Sequence, residues 1–338
     1  MACQMGSPAT QIGVDDALEP HRRELTAYCY RMLGSPFEAE DAVQETLLRA
    51  WRALDRFEGR SAVASWLYRI ATNVCLDMLA GRKRRALPMD LGPARSPEAA
   101  GATLPESVWV EPAPDVMLLA PADPADLAVS RESVRLAFVA ALQHLPPRQR
   151  AVLILREVLH WRASEVAELL DTTVASVNSA LQRARATLDA IGVDQAAPPP
   201  PLEAPDRALL DRYVQAFERY DMEALTALIH EDATQSMPPY EMWLRGRDDI
   251  LAFWSGPGAP CRGSRVVPVG RVNGAPAFAQ YRPDTDGGGH HAWALQVLDV
   301  APGAVAGFTF FLGTETIFPM LGLPLRLAPG QPAPTATA

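Results

Sequence analysis

Two proline-rich stretches interrupt the chain of 338 residues and limit where helices and strands can form. The first, residues 86–128, contains eight prolines, and the second is the run APPPP at residues 197–201. Proline has no backbone N–H and a fixed φ, so neither stretch can continue a helix or an inner strand. The first stretch is also acidic, with six Asp or Glu and one Arg in residues 91–129. We therefore expect an extended linker without a core of its own, and later a short stiff spacer.

On both sides of the linker, apolar residues recur at the spacing of a helix. In EDAVQETLLRAWRAL the apolar positions are separated by four, three and four residues, as on one face of a helix. Residues 165–188, EVAELLDTTVASVNSALQRARATL, predict two short helices around a turn at Asp171 and Thr172, with Ser164 as N-cap of the first. The buried stripe of the second helix is predicted to be Val177, Leu181, Ala184 and Leu188.

Beyond the spacer, the periodicity changes. DRALLDRYVQAFERYDMEALTALI predicts two helices, and ATQSMPP, RVVPVGRV, PAFAQYRP, HAWALQVLDV and AVAGFTFFL read as strands between turns. Helices followed by antiparallel strands predict an α+β domain. The expected fold class is multidomain, with two all-α domains followed by one α+β domain. The predicted boundaries are 15–88 and 129–192 for the all-α domains, 89–128 for the linker, 193–204 for the spacer and 205–328 for the α+β domain.

The composition narrows the class of protein. The formal charge is −9, yet residues 1–90 carry 12 basic and 12 acidic groups and residues 130–195 carry eight and seven. The helical segments can therefore bind DNA although the whole chain is acidic. The four cysteines show no CxxC spacing and no nearby His pair, which argues against disulfides and metal sites. No apolar run is long enough to span a membrane and no signal peptide is present, so we expect a cytoplasmic protein without a membrane partner.

Two blocks of the sequence resemble a known family. EDAVQETLLRAWRALDRFEGRSAVASWLYRIATNVCLDMLAGRKRR resembles region 2 of the extracytoplasmic-function group of bacterial sigma-70 factors. LPPRQRAVLILREVLHWRASEVAELLDTTVASVNSALQRARATL resembles region 4 of the same group. The resemblance implies a transcription initiation factor with no catalytic residues, metal or cofactor. It implies two partners, namely promoter DNA and core RNA polymerase, contacted at the clamp of its largest subunit and the flap of its second subunit.

In region 2, the resemblance assigns residues to two partner surfaces. The polymerase contacts match Asp41, Gln44 and Glu45. Asp41 and Glu45 form a like-charge i, i+4 pair that a basic partner would relieve. Promoter melting at the -10 element matches Phe57, Ser61, Trp66, Asn73, Arg82, Arg84 and Arg85, with Lys83 in the same basic cluster. An amide can read a flipped base, an aromatic ring can replace lost stacking, and arginines can meet phosphates. For Trp66, core packing is the alternative.

In region 4, the second helix of the helix-turn-helix is expected to enter the major groove of the -35 element. Its outward residues are Ser176, Asn178, Ser179, Gln182, Arg183 and Arg185. Gln and Arg can pair bidentately with adenine and guanine, and Arg148, Arg150 and Arg185 are expected near phosphates. Many members carry Arg at the positions of Asn178 and Ala180, so this chain is expected to bind DNA with a shallower salt dependence. From the residues alone, a helical hairpin with a solvated face is the alternative.

The third segment resembles the SnoaL-like domain, a curved sheet folded around helices to form a cone. Two motifs resemble a sigma subgroup with this fusion, WVEP at residues 109–112 and DGGGH at residues 286–290. The resemblance implies that the domain regulates sigma activity, with Trp109 fastening the linker to it. The implied regulatory residues are Trp109, Glu111, Asp286, Gly287, Gly288, Gly289 and His290.

Three other functions remain open for the chain. One alternative is that the C-terminal domain binds a small ligand as a sensor. Another is an enzyme of the polyketide-cyclase type, with His230, Asp232, His290 and His291 as candidate acids and bases. Alternatively, the chain is a stand-alone helix-turn-helix regulator, which would bind duplex DNA tightly without polymerase.

Overall fold

A computed structural model of the chain describes residues 18–54, 62–98, 101–119, 131, 133–191, 204–285, 288–332 and 334. Contacts divide the chain into two units. The first unit combines Met1–Arg84 with Val116–Ala197, and the second combines Arg85–Asp115 with Pro198–Ala338. Among the described helices, none has both the length and the apolar composition needed to cross a bilayer.

The described residues of region 2 form three α-helices. They are α1 (Arg22–Leu33), α2 (Pro36–Ala53) and α3 (Val63–Leu79). Gly34 ends α1 in the left-handed conformation, with φ 75°, which glycine adopts without side-chain strain. Ser35 caps α2, because its hydroxyl accepts a hydrogen bond from the Glu38 N–H at 3.3 Å. The buried faces include Leu25, Tyr28, Cys29, Met32, Val43, Ala50, Leu67, Val74 and Cys75.

The region 4 part contains the predicted helix-turn-helix. Its helices are α4 (Leu136–Gln143), α5 (Pro147–Leu153), α6 (Ala163–Leu169) and α7 (Val174–Ile191), with a π-helical turn at Ile154–Val158. All four residues of the predicted stripe on α7 are buried. The N-cap prediction was wrong, because Ser164 lies inside α6 and Arg162 precedes the helix. The Arg162 N–H is satisfied by the Glu165 carboxylate at 2.7 Å.

The second unit is built on one mixed sheet. Its helices are α8 (Ala204–Arg219), α9 (Met222–Leu228), α10 (Arg247–Ser255) and α11 (Thr314–Met320). Its strands are β1 (Ile229–Ser236), β2 (Trp243–Arg245), β3 (Arg265–Val272), β4 (Ala275–Pro283), β5 (His290–Ala301), β6 (Ala304–Phe311) and β7 (Arg326–Leu327). The strand order is β2-β1-β6-β5-β4-β3, with β7 beside β5.

One strand pair differs from the antiparallel prediction. Strands β3 to β6 form an antiparallel meander, but β1 pairs with β6 in parallel. The meander follows β1 and α10 in the chain, so β6 returns to β1 by a long connection rather than by a hairpin. Parallel pairing requires such a connection. The α+β class itself is confirmed.

Residues 85–115, which we call the strap, are grouped with the second unit, whereas the sequence predicts a separate linker at residues 89–128. The strap packs on the C-terminal sheet as part of the second unit. Among the described residues, four backbone hydrogen bonds join it to the sheet unit: Arg95 N–H to Trp243 O (2.9 Å), Leu104 N–H to Pro239 O (2.9 Å), Glu241 N–H to Ala102 O (3.1 Å) and Asn273 N–H to Ala113 O (3.0 Å). Trp109, Val110 and Ala113 are at most 3% exposed. The strap has no core of its own, but it shares the core of the domain that follows region 4.

Candidate nucleic-acid interface

The second helix of the helix-turn-helix, α7, presents a polar face to solvent. Thr173 begins it, because the Thr173 hydroxyl accepts the Ser176 N–H at 3.1 Å. Asp171 makes the preceding turn with φ 49°, a conformation that Asp tolerates better than most residues. The predicted base readers Ser176, Asn178, Ser179, Gln182 and Arg183 are all exposed.

On this face, the side chain of Arg183 is held in place by a hydrogen bond. Arg183 donates a hydrogen bond from Nη1 to the Ser179 hydroxyl at 2.6 Å. The two side chains are one turn apart and therefore share a face of α7. Arg185 points elsewhere and forms an ion pair with Glu157 at 2.8 Å.

Two arginines on α5 have different environments. Arg148 is exposed, whereas Arg150 is 3% exposed. Arg150 donates hydrogen bonds to Met32 O and to Gln143 Oε1 at 2.6 Å. The prediction that Arg150 lies near DNA phosphates is therefore wrong for this structure, because its guanidinium is buried within the protein.

The predicted polymerase contacts lie on α2. Asp41 and Gln44 are exposed. Glu45 pairs with Arg49 at 2.7 Å, and this hydrogen bond raises the pKa of Arg49. The expected repulsion between Asp41 and Glu45 is thus offset inside the helix, by a residue that the sequence analysis overlooked.

Sequence reasoning also missed an apolar part of the α2 surface. Phe37, Leu48 and Trp51 are 38%, 40% and 50% exposed, among the most exposed large apolar residues of the described chain. With Asp41 and Gln44 they follow steps of four, three, four and three residues along α2. This spacing defines one helix face, which we call the α2 stripe. The spacing was visible in the sequence, but only the structure shows that the apolar members are not buried.

The residues predicted to face the -10 element lie in three settings. Phe57 and Ser61 lie outside the described residues. On α3, Trp66 is half-buried and Asn73 is exposed. After α3, Arg82, Lys83 and Arg84 are exposed. Arg82 pairs with Glu38 at 2.5 Å, and Arg84 donates to a ring nitrogen of His144 at 2.6 Å.

Arg85 departs from the predicted phosphate contact. Its guanidinium donates to the backbone oxygens of Trp109 at 2.6 Å and Glu106 at 3.1 Å, and lies 3.6 Å from the Glu111 carboxylate. Arg85 is 7% exposed. A guanidinium that satisfies backbone carbonyls in the strap is not free to meet DNA in this state.

The WVEP motif lies in the later of the strap's buried parts, after Arg85 and Ala86, which are also buried. The Trp109 indole N–H donates to Leu104 O at 3.4 Å, and the backbone of Trp109 bridges to Ala86. Further along, the Asn273 side chain accepts the Ala113 N–H at 2.9 Å. The Trp109 contacts named here lie within the strap, and the bond to the sheet unit comes from Ala113, so the fastening of the linker by Trp109 stays a prediction.

The DGGGH motif connects β4 to β5, as its glycines suggested. Asp286 and Gly287 lie outside the described residues. Gly288 has φ 130°, a value that side chains rarely allow. A Cβ on Gly289 would lie 2.8 Å from the Asp284 carboxylate and 3.0 Å from the Leu327 backbone oxygen, so a larger residue requires one of them to shift. His290 contacts the backbone oxygen of Gly263 at 3.1 Å.

Beside this motif, Asp284 forms a charged cluster with its neighbours. Its carboxylate pairs with Arg326 at 2.9 Å and with His291 at 2.8 Å. The hydrogen bond from Arg326, followed by that from His291, lowers the pKa of Asp284. The cluster ties the β4–β5 connection to β7.

The interior of the sheet unit carries amides and aromatic rings. The Tyr213 hydroxyl donates to Gln296 at 2.9 Å, Gln296 donates to Gln280 at 2.9 Å, and Gln280 donates to Ser264 at 3.0 Å. All but Ser264, at 2%, are at most 1% exposed. Side-chain amides do not ionise near neutral pH, so this chain of hydrogen bonds stabilises the core rather than providing an acid and a base.

The candidate acids and bases lie elsewhere. His230 and Asp232 are exposed on β1, where the Asp232 N–H donates to His230 at 3.1 Å. His290 and His291 lie at the start of β5, beside the DGGGH motif and the Asp284 cluster described above. Among the described residues, no group of three or more His, Cys, Asp or Glu side chains is arranged to hold a metal ion.

Comparisons with known proteins match three parts of the chain to families. Residues 17–85 match Sigma-70 region 2, residues 135–188 match Sigma-70 region 4, and residues 210–308 match the SnoaL-like domain. The ranges agree with the helical first unit and with the sheet of the second.

Whole-chain relatives agree with this division. The chain is 48% identical over 312 residues to "ECF RNA polymerase sigma factor SigG" of Mycobacterium tuberculosis, covering 90% of this chain and 82% of the relative. It is 31% identical over 173 residues to "ECF RNA polymerase sigma factor SigW" of Bacillus subtilis, covering 51% of this chain and 85% of the relative. The crystal structure of the Mycobacterium tuberculosis extracytoplasmic function sigma factor SigJ shares the fold, with TM-score 0.57 and 22% identity over 92% of this chain and 99% of that one. The chain therefore belongs to the extracytoplasmic-function sigma factors of the sigma-70 family, with a C-terminal SnoaL-like domain.

Proposed function

We propose that this sigma factor joins core RNA polymerase through the α2 stripe and reads the promoter with α3 and α7. The observation that carries the proposal is the division of α7 into two faces. Val177, Leu181, Ala184 and Leu188 are buried, while every predicted base reader is exposed. A helix held in this way can enter a major groove with Gln and Arg side chains directed at base edges.

The α2 stripe supports polymerase as the partner that brings α7 to the promoter. It combines acceptor groups at Asp41 and Gln44 with exposed apolar side chains at Leu48 and Trp51. Apolar anchors beside a few polar groups are typical of binding hot spots. We assign this surface to the clamp of the largest subunit, and we assign region 4 to the flap of the second.

Region 2 supplies the surface for the melted -10 element. Asn73 is exposed on α3 with Trp66 seven residues before it, so the two lie on one helix face. An amide and an aromatic ring on one face can hold an unstacked base. Arg82, Lys83 and Arg84 continue from α3 and contribute positive charge for the phosphates.

The C-terminal domain regulates the factor through the strap. The strap connects regions 2 and 4, and it is fastened to the sheet unit by its hydrogen bonds with Pro239, Trp243 and Asn273. Arg85 bonds to Trp109 within the strap itself. While it is docked there, the strap cannot also lie along a polymerase channel. The domain therefore acts as a fused regulator in the cytoplasm, where polymerase is found, rather than as a catalyst.

Transcription with purified core polymerase tests the proposal. Full-length protein is expected to give transcripts from defined start sites. Trp51→Ala is expected to lower polymerase affinity roughly 30-fold or more, because loss of a hot-spot Trp costs about 2 kcal/mol or more. Glu40→Ala, at an exposed position one residue before Asp41, is the matched control. A polymerase of proven competence that gives no specific transcript with the full-length protein would contradict the proposal.

A further inference from the structure

Two arginines of the second unit lie over aromatic rings. The guanidinium carbon of Arg282 is 4.0 Å from the centroid of the Trp293 ring, and that of Arg262 is 5.2 Å from the centroid of the Tyr220 ring. We call Arg262 and Arg282 the arginine pair. An arginine over the face of a ring still presents the planar fork of its N–H groups at its edge, where an acceptor can meet it.

The hydrogen-bond donors of the arginine pair are largely unused. Among the described residues, neither guanidinium pairs with a carboxylate, and the buried Nε–H of Arg282 has no hydrogen-bond acceptor. The nearby Arg326 differs, because it pairs with Asp284 at 2.9 Å. A guanidinium with unmet donors in a half-buried position is costly unless a partner completes it. The arginine pair is therefore a place where a negatively charged ligand would be stabilised.

Both members of the arginine pair act on the same tyrosine. The Tyr220 hydroxyl donates to the backbone oxygens of Trp254 at 2.5 Å and Gly258 at 3.0 Å, which fixes its ring. Burial raises the pKa of Tyr220 to about 12, and the positive charges of Arg262 and Arg282 act in the opposite direction. Coulomb interactions weaken with distance, so both charges lie near one ring. Two such charges repel each other, and an anion bound by both offsets the repulsion.

The arginine pair marks the entrance of a site that becomes more buried toward the sheet. Arg262 is exposed, whereas Arg282, Trp293 and Cys261 are half-buried. Cys261 lies beside Arg282 and forms a hydrogen bond with Gln280, which is 1% exposed. Behind Gln280, the buried chain of hydrogen bonds described above continues into the core. The site is therefore shallow and suits a small molecule.

The charge of the domain limits the kind of anion. Residues 196–338 carry ten Arg and fifteen Asp or Glu, without Lys. A polyanion such as nucleic acid would meet this net negative charge, whereas a small anion meets only the local field. We propose that the arginine pair binds a small organic carboxylate, whose two oxygens match the fork of a guanidinium. This site is independent of the polymerase and promoter surfaces proposed above.

Protection of Cys261 from alkylation tests the site in the full-length protein. A Cys3→Ser background leaves Cys261 as the accessible thiol, because Cys29 and Cys75 are buried. Iodoacetamide, a neutral reagent, is used at about pH 8.5, since burial raises the pKa of the Cys261 thiol and the thiolate is the reacting form. Mass spectrometry of the peptide that contains Cys261 gives the rate. Benzoate at millimolar concentration is expected to slow the reaction roughly fivefold, and the neutral isostere benzamide is expected to leave it unchanged.

Variants of the arginine pair separate the outcomes, with the ionic strength held constant by sodium chloride. Arg282→Met and Arg262→Met are each expected to remove most of the benzoate protection, whereas Arg245→Met, at an exposed position on β2, is expected to retain it. Circular dichroism reports whether each variant is folded, and the exposed Arg262 provides the test if Arg282→Met does not fold. Absence of protection by benzoate in the parent would overturn the site. Equal protection by benzamide or by inorganic phosphate would reject the carboxylate, and protection that survives in both folded variants would exclude the arginine pair.

Discussion

At the scale of single residues, neighbouring arginines in this chain have opposite roles. Arg84 is exposed, whereas Arg85 is buried against strap carbonyls. The sequence could not separate them, because the partners of Arg85 lie more than twenty residues further along the chain. The sequence could, however, have distinguished the role of Arg148 from that of Arg150. Positions two apart on a helix face different sides, so both could not lie on one DNA-facing surface.

The recognition helix gives a prediction at this scale. Arg183→Ala is expected to reduce transcription from a promoter selected with the parent protein by roughly 5- to 150-fold, because a bidentate base contact is worth about 1 to 3 kcal/mol. Asp189→Ala, at an exposed position near the end of the same helix, is the control. Transcription initiation assays on the selected promoter and on single-base variants measure the loss. Equal activity of both variants would remove Arg183 from the reading face.

The charged cluster of Asp284, Arg326 and His291 gives a prediction about the pH dependence of stability. The pKa of Asp284 is lowered in the folded protein, below an unfolded value of about 3.9. Its contribution to stability is therefore present above that unfolded value and is lost as the pH falls through the folded pKa. Asp284→Asn is expected to lower the melting temperature at pH 7 and to match the parent near pH 2. Thermal unfolding across this range measures the effect, and a constant difference at every pH would contradict it.

At the scale of elements, helix α7 and the strap show what local pattern can and cannot predict. The buried stripe of α7 could be predicted from residue spacing alone, because its apolar residues recur with the period of a helix. The strap has no such period, and its prolines and acidic residues are typical of a solvated linker. It is ordered by a surface that includes Asn273 and Trp243, far away in the sequence. Only the isolated Trp109 hinted that part of the linker would be buried.

The strap can be tested through that tryptophan. Trp109→Ala is expected to remove about 3 to 5 kcal/mol from the stability of the second unit, as for other buried Trp side chains. Hydrogen exchange of the Leu104 and Ala113 amides should accelerate, since their acceptors, Pro239 O and Asn273 Oδ1, lie on the sheet unit. Met89→Ala, at an exposed strap position, serves as the control. Protection of the Leu104 and Ala113 amides that survives the Trp109 change would show that the tryptophan does not fasten the strap.

At the scale of the whole molecule, the order of domains was predictable and their connectivity was not. The change from helical to strand periodicity near residue 229 placed the α+β domain correctly. The parallel pairing of β1 with β6 depends on where a long connection returns, which no local pattern records. Likewise, the boundary between Arg84 and Arg85 falls inside a basic run that looks uniform. The exposed polar face of α7 was predicted, while the exposed apolar members of the α2 stripe were missed because apolar spacing usually marks a core.

The strap's position in the chain also bears on synthesis at the ribosome. Residues 85–115 emerge before region 4, yet the sheet that orders them is made last. At typical rates of translation, the nascent strap waits on the order of ten seconds or more for its partner strands. During that interval regions 2 and 4 can fold while Trp109 and Val110 remain in water. A newly synthesised chain can therefore be bound by chaperones or polymerase before its C-terminal domain has been made. A mature chain, in which the strap is already packed on the sheet, differs in this respect.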